Sequence, residues 1–107
     1  MTEQRAHTPR RNPRSSVTVS VVIRHPNSVR RIHAELSDIS PDGCRVQTTE
    51  PLKIGDHLVM SIEGLEPWPA RIIWVSGEDR GAEFDRPLHP AVADHIARIY
   101  PSQPSQL

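Results

Sequence analysis

Val17-Thr18-Val19-Ser20-Val21-Val22-Ile23 alternates, with Val17, Val19, Val21 and Ile23 on one side and Thr18, Ser20 and Val22 on the other. Successive side chains of an extended chain point to opposite faces, so this pattern predicts a strand with one face buried. His25-Pro26-Asn27-Ser28 follows as a turn cluster. Ile32, Ala34 and Leu36 then resume the alternation toward Asp38, which makes the two segments a hairpin. Ser40-Pro41-Asp42-Gly43 reads as a second tight turn, with Pro41 fixing φ early and Gly43 supplying φ > 0 late, before Cys44, Val46 and Thr48 alternate again.

Beyond these strands the same signals recur. Pro51 and Gly55-Asp56 punctuate a connection, Leu58, Met60 and Ile62 form a strand ending at Gly64, and Trp68, Ala70, Ile72 and Trp74 form the next. Gly77-Glu78-Asp79 turns the chain into a short strand carrying Ala82 and Phe84. Six short strands with turns between them predict a mainly β fold, a six-stranded antiparallel β-barrel, because closure removes the edges an open sheet would expose. The period then changes. Leu88, Val92, Ile96 and Ile99 are spaced 4, 4 and 3, with Pro90 suited to a first turn and Pro101 closing the segment. One C-terminal α-helix packed on the barrel or its rim is expected.

The chain has 107 residues, one cysteine and equal numbers of basic and acidic side chains. A single core burying roughly 65% of the unfolded surface is feasible at this size, and a second domain is not. Lone Cys44 excludes an intrachain disulfide. Apolar runs such as Val21-Val22-Ile23 fall far short of the ~20 residues a membrane span needs, so a cytoplasmic protein without membrane insertion is the expectation. The zero net charge hides a segregation: residues 1–31 hold seven arginines against Glu3, and residues 32–107 hold six basic side chains against twelve acids. Twelve of the 13 basic residues are arginine, whose planar fork suits phosphate and guanine edges. The basic leader is polar, carries Pro9 and Pro13, and has no apolar period. It reads as an anion-binding arm or, equally, as a solvated tail.

Two constellations bear on chemistry. Arg10-Arg11-Asn12-Pro13-Arg14 sets two arginines four apart just before the first strand, and Pro13 prevents a continuous helix through them. Asp38-Ile39-Ser40-Pro41-Asp42-Gly43 carries the spacing D-x-S-x-x-G, rare in a shuffled chain of this composition. The simpler interpretation of the second stretch is an Asp-Gly turn closed by local side-chain bonds. Six histidines (His7, His25, His33, His57, His89 and His95) offer no i,i+4 pair and no cysteine partner for a zinc site, so no metal is expected. Trp74 shares the alternation of Trp68, Ala70 and Ile72 and is expected in the core, with stacking on a base as the lesser alternative. No nucleophile motif or glycine-rich phosphate loop is present, so catalysis is not expected.

Together the two constellations resemble those of the PilZ family, in which R-x-x-x-R precedes the first strand and D/N-x-S-x-x-G follows 20 to 30 residues later. Ala70-Arg71-Ile72-Ile73-Trp74-Val75 and Gly81-Ala82-Glu83-Phe84 are similar to the last two strands of that family, and the resemblance spans residues 10–100. It implies a stand-alone barrel that binds cyclic di-GMP as ligand, with no other cofactor. Residues 1–9 would be a flexible arm and residues 101–107 a disordered tail. Arg10 and Arg14 would clamp the ligand, with Arg11 as a third contact. Asp38 would accept from guanine N1 and N2, Ser40 would donate to a phosphate or ribose oxygen, and Gly43 would allow close backbone approach. Asp42 departs from the family pattern, which often has glycine there. The implied role is a receptor, monomeric, that rearranges its arm and regulates an unidentified effector protein. The alternatives are a degenerate member acting through protein contacts alone and a nucleic-acid-binding barrel, the latter disfavoured by the acidic balance of residues 32–107.

Overall fold

The alternating segments do pair as strands. The computed structural model describes residues 14–102, and within them the order is β1 (Ser15–Arg24), β2 (Ile32–Ile39), β3 (Gly43–Gln47), β4 (His57–Ile62), β5 (Trp68–Ser76), β6 (Asp79–Phe84) and α1 (Pro90–Ile99). The predicted arm 1–9, Arg10 and Arg11, and residues 103–107 of the predicted tail lie outside the described residues. All neighbouring strands are antiparallel and close into a barrel in the order β1-β2-β3-β6-β5-β4. Val17, Val19, Val21 and Ile23 fill the barrel from β1, each nearly inaccessible to solvent, and meet Leu36, Val46, Leu58 and Ile72 from the other strands. Removing this apolar surface from water, at about 25 cal/mol per Å², is the main force holding the strands together.

Three ladders carry an extra residue. The β1–β2 register shifts between Ser16 and Val19, β2–β3 between Leu36 and Asp38, and β5–β6 between Ile72 and Trp74. Such bulges bend a strand and re-aim the side chains that follow. In β2 the consequence is direct: strict alternation after Ile32, Ala34 and Leu36 would turn Asp38 inward, whereas the buried residue after the bulge is Ile39. In β5 the same device corrects the expectation for Trp74. It lies outside the buried core, half-exposed and opposite Gly81, because the extra residue Ile73 breaks the alternation that had grouped it with Ile72.

The far end of the barrel is closed by Arg80, a buried side chain. Its guanidinium donates to the carbonyl oxygens of Leu52, Glu50, Gly77 and Asp79 at 2.7–3.3 Å, so the buried donors find acceptors on two connections. At the other end α1 packs through Ala93 and Ile96. His89 caps it, Nδ1 accepting from the Ala91 N–H at 3.0 Å, and Pro90 opens the first turn, where its missing donor costs nothing. The predicted apolar stripe is displaced. Leu88 is buried ahead of the helix and Val92 is half-buried, but Ile99 is exposed, and Ala93 and Tyr100 take up the packing on the other side of Ile96. Pro101 bridges to Val17, and the Ser102 N–H donates to Ser16 O at 3.3 Å, which ties the chain after α1 to β1.

Candidate functional site

One row of outward positions crosses four strands. Asp38 on β2 stands opposite Arg45 on β3, Arg45 opposite Gly81 on β6, and Gly81 opposite Trp74 on β5. Both bulges that flank this row are needed to build it. The one before Asp38 brings its carboxylate to the outer face, and the one before Trp74 does the same for the indole. Gly81 separates the two large side chains of the row. The indole of Trp74 lies over Gly81, so close that any Cβ there would collide with Nε1, Cε2 and Cδ1.

Arg45 is held from two sides. Its Nη2 pairs with Asp38 Oδ2 at 3.2 Å, and its Nε donates to Ser37 Oγ at 3.1 Å. The Ser37 hydroxyl in turn donates to the Arg45 carbonyl at 3.3 Å. A planar guanidinium fixed along two edges has a defined orientation, unlike a lysine ammonium on a flexible stem.

Next to this row the D-x-S-x-x-G stretch forms the expected turn. Ser40 N–H donates to Gly43 O at 2.9 Å, the Ser40 hydroxyl donates to the same oxygen at 3.4 Å, and the Asp42 N–H donates to Ser40 Oγ at 3.3 Å. The turn is anchored from outside by Phe84 N–H to Asp42 O and Leu88 N–H to Pro41 O. The simpler turn interpretation is therefore physically satisfied, and it coexists with a position at the cleft. Gly43 is corrected in one respect. The left-handed glycines among the described residues are Gly55, Gly64 and Gly77, and Gly43 is not one of them. Its lack of a Cβ is required because Ala82 O on β6 occupies that space. This is close approach of backbone to backbone within the barrel.

Arg14 comes to the same place from β1. Ser16 pairs with Asp38 and Ser15 with Ile39, so one further step of this register brings Arg14 level with Ser40. Arg14, Ser40, Gly43, Arg45, Trp74 and Gly81 all line one cleft of about 170 Å³, with Asp42 and Glu83 on its acidic side. Glu83 is paired with Arg71 across the β5–β6 ladder at 3.1 Å, which offsets its charge. Cys44 lies beneath this cleft against Met60, its Sγ 3.7 Å from Sδ. Burial pushes the Cys44 thiol up to about 12, opposed by the nearby Arg14 charge, so it is a neutral thiol at physiological pH. A thiol held protonated in this way is a poor nucleophile.

Of the residues singled out from sequence, Arg14, Ser40 and Gly43 thus meet at one cleft, and Asp38 joins them through Arg45. Arg10 and Arg11 lie outside the described residues. Sequence reasoning missed Arg45 and Gly81 and misplaced Trp74. The signal for all three is the pairing of β3 with β6 and the bulge in β5, neither of which has a local sequence mark. A second, apolar cavity of about 260 Å³ lies between α1 and the barrel, lined by residues such as Leu36, Ile39, Val92 and Ile96. Its walls offer little to an anion. No helix among the described residues is long and apolar enough to cross a membrane, and no cluster of metal-ligating side chains occurs among them.

Comparison with known proteins agrees with this architecture. The barrel is similar to the crystal structure of YcgR in complex with c-di-GMP from Escherichia coli, with a TM-score of 0.57 at 19% identity. The similarity covers 84% of this chain and 43% of that one, so the present chain spans less than half the length of the matched chain. No curated protein matches it. The PilZ domain model matches residues 8–100, from ahead of the two arginines to beyond the end of α1. On that match, the closed six-stranded barrel with its C-terminal helix belongs to the PilZ domain family.

Proposed function

We propose that this chain is a receptor for cyclic di-GMP and not an enzyme, and that the cleft lined by Arg14, Ser40, Arg45 and Trp74 is where the ligand sits. The observation that carries this reading is the convergence of two cations, a hydroxyl, a carboxylate and an indole on one rim, from segments far apart in sequence. Membership of the PilZ family supports it, as does the likeness to YcgR, whose structure is a complex with c-di-GMP.

The ligand presents two phosphates and two guanines. Arg14 supplies a fork for phosphate oxygens or for the O6/N7 edge of a guanine. Asp38 accepts from guanine N1 and N2, an arrangement adenine cannot satisfy. Trp74, half-exposed over Gly81, offers a flat apolar face on which a base can stack, worth about 1–3 kcal/mol. The cleft is smaller than a cyclic dinucleotide, so part of the ligand would be covered from elsewhere, and Arg10 and Arg11, which precede Arg14, are assigned that role. Micromolar affinity corresponds to about 8 kcal/mol, and a charged hydrogen bond contributes about 1.5–3, so several of these contacts act together. The arginine-bearing leader then folds across the cleft when ligand arrives and changes the surface offered to an effector protein. A cytoplasmic, monomeric adaptor without nucleic-acid binding or membrane insertion is part of the same proposal.

Isothermal titration with cyclic di-GMP, using cyclic di-AMP and GMP as controls, tests the receptor reading. Saturable heat with cyclic di-GMP alone is expected. Absence of heat and of amide shifts with all three would overturn it. Equal amide-exchange protection of residues 5–16 with and without ligand would overturn the arm rearrangement.

A further inference from the structure

Resting on the receptor reading above, we infer that Arg45 is a positioning residue for base recognition: it acts through Asp38, presetting the carboxylate that reads the guanine edge. Three observations on the outer face of β2 and β3 lead there. Asp38 and Arg45 are direct cross-strand partners at the bulge, joined at 3.2 Å. The Asp38 side chain is only 13% exposed and that of Arg45 39%, so the carboxylate is the more confined member of the pair. Ser37, the extra residue of the bulge, accepts from Arg45 Nε and donates to the Arg45 carbonyl, closing a ring that fixes the guanidinium plane.

A carboxylate has about four lone-pair sites on its two oxygens. Arg45 takes one of them, on Oδ2, and leaves enough for two further donors. Guanine offers two on one edge, N1–H and N2–H. Hypoxanthine offers only N1–H, and adenine presents an acceptor at N1. Discrimination between guanine and hypoxanthine therefore depends on a carboxylate held in the one orientation that meets both donors. Without Arg45, Asp38 samples other rotamers, and the ordering must come from the ligand itself. Arg45 also lines the cleft, so a direct phosphate contact is the competing role.

The test compares wild type, Arg45→Ala and Arg45→Lys in titrations with cyclic di-GMP and its inosine analogue cyclic di-IMP. In the absence of ligand, Hα–Hβ couplings of Asp38 are measured in all three. The expected result is a single Asp38 rotamer in wild type and rotamer averaging in Arg45→Ala. The preference for cyclic di-GMP over cyclic di-IMP falls about tenfold in Arg45→Ala, the worth of one charged hydrogen bond. Arg45→Lys, which keeps the charge, recovers part of it. An unchanged preference in Arg45→Ala overturns the inference. So does an equal loss for both ligands with Asp38 still in one rotamer, which would make Arg45 a direct phosphate contact. If wild type binds neither ligand, the receptor reading falls and takes this role with it. The coupling measurement needs no ligand and so separates that failure from a failure of the Arg45–Asp38 relation.

Discussion

The indole Nε1 of Trp74 occupies the space that a side chain at Gly81 would need, so the orientation of the one large aromatic at the cleft depends on the absence of a Cβ on the opposite strand. Gly81→Ala is expected to expel the indole from this position and to cost about 1–3 kcal/mol of stability through overpacking. The emission maximum of Trp74, measured in a Trp68→Phe background, should shift to the red, and cyclic di-GMP affinity should fall by at least fivefold. Unchanged emission and affinity would show that the stack over Gly81 is dispensable.

Gly43 faces a different obstacle, the carbonyl oxygen of Ala82 on β6. Backbone cannot yield as a flexible side chain does, so Gly43→Ala must separate β3 from β6 where the barrel ladder is continuous. The expected loss is about 2–3 kcal/mol in urea unfolding, with or without ligand. A variant as stable as wild type but deficient in ligand binding would instead assign this glycine to ligand approach alone.

Arg14 is exposed and precedes β1, so its removal should leave the fold intact. Arg14→Ala is expected to weaken cyclic di-GMP binding at least tenfold with an unchanged thermal midpoint. The same is expected of Arg10→Ala. Wild-type affinity in both variants would refute the assignment of the arginines.

Cys44 makes stability sensitive to alkaline pH. The folded chain keeps the thiol proton up to about pH 12, whereas the unfolded chain releases it above the ordinary value of 9.0. Between these values the unfolded state binds fewer protons, so stability falls as pH rises, by about 1.4 kcal/mol per pH unit. Below pH 9 both states hold the proton and this residue contributes no slope. Denaturation midpoints measured from pH 8 to 10.5 should decline more steeply in wild type than in Cys44→Ala. Parallel slopes would show that the thiol is not the group responsible.

Most of the barrel was legible because its signals are local. Val17 to Ile23 alternates within itself, and Ser40-Pro41-Asp42-Gly43 closes its own turn through Ser40. Gly55 marks the bend before β4, and Gly64 and Gly77 mark those after β4 and β5. The site was legible only in part, since Arg14, Ser40 and Gly43 sit beside recognisable turns and strand starts, whereas Arg45 looks like any outward residue of a short strand.

The amino-acid order by itself determined which segments become strands, where they turn, that a helix follows the last strand, and that positive charge gathers ahead of β1. Those outcomes follow from side-chain period, turn chemistry and composition, all of which are properties of neighbours in the chain. Only the tertiary structure decided that Asp38 and Trp74 face outward and that Arg45 and Gly81 stand between them. A bulge is a mismatch in length between two paired strands, and the pairing of β3 with β6 joins segments more than 30 residues apart, so neither strand alone carries the information.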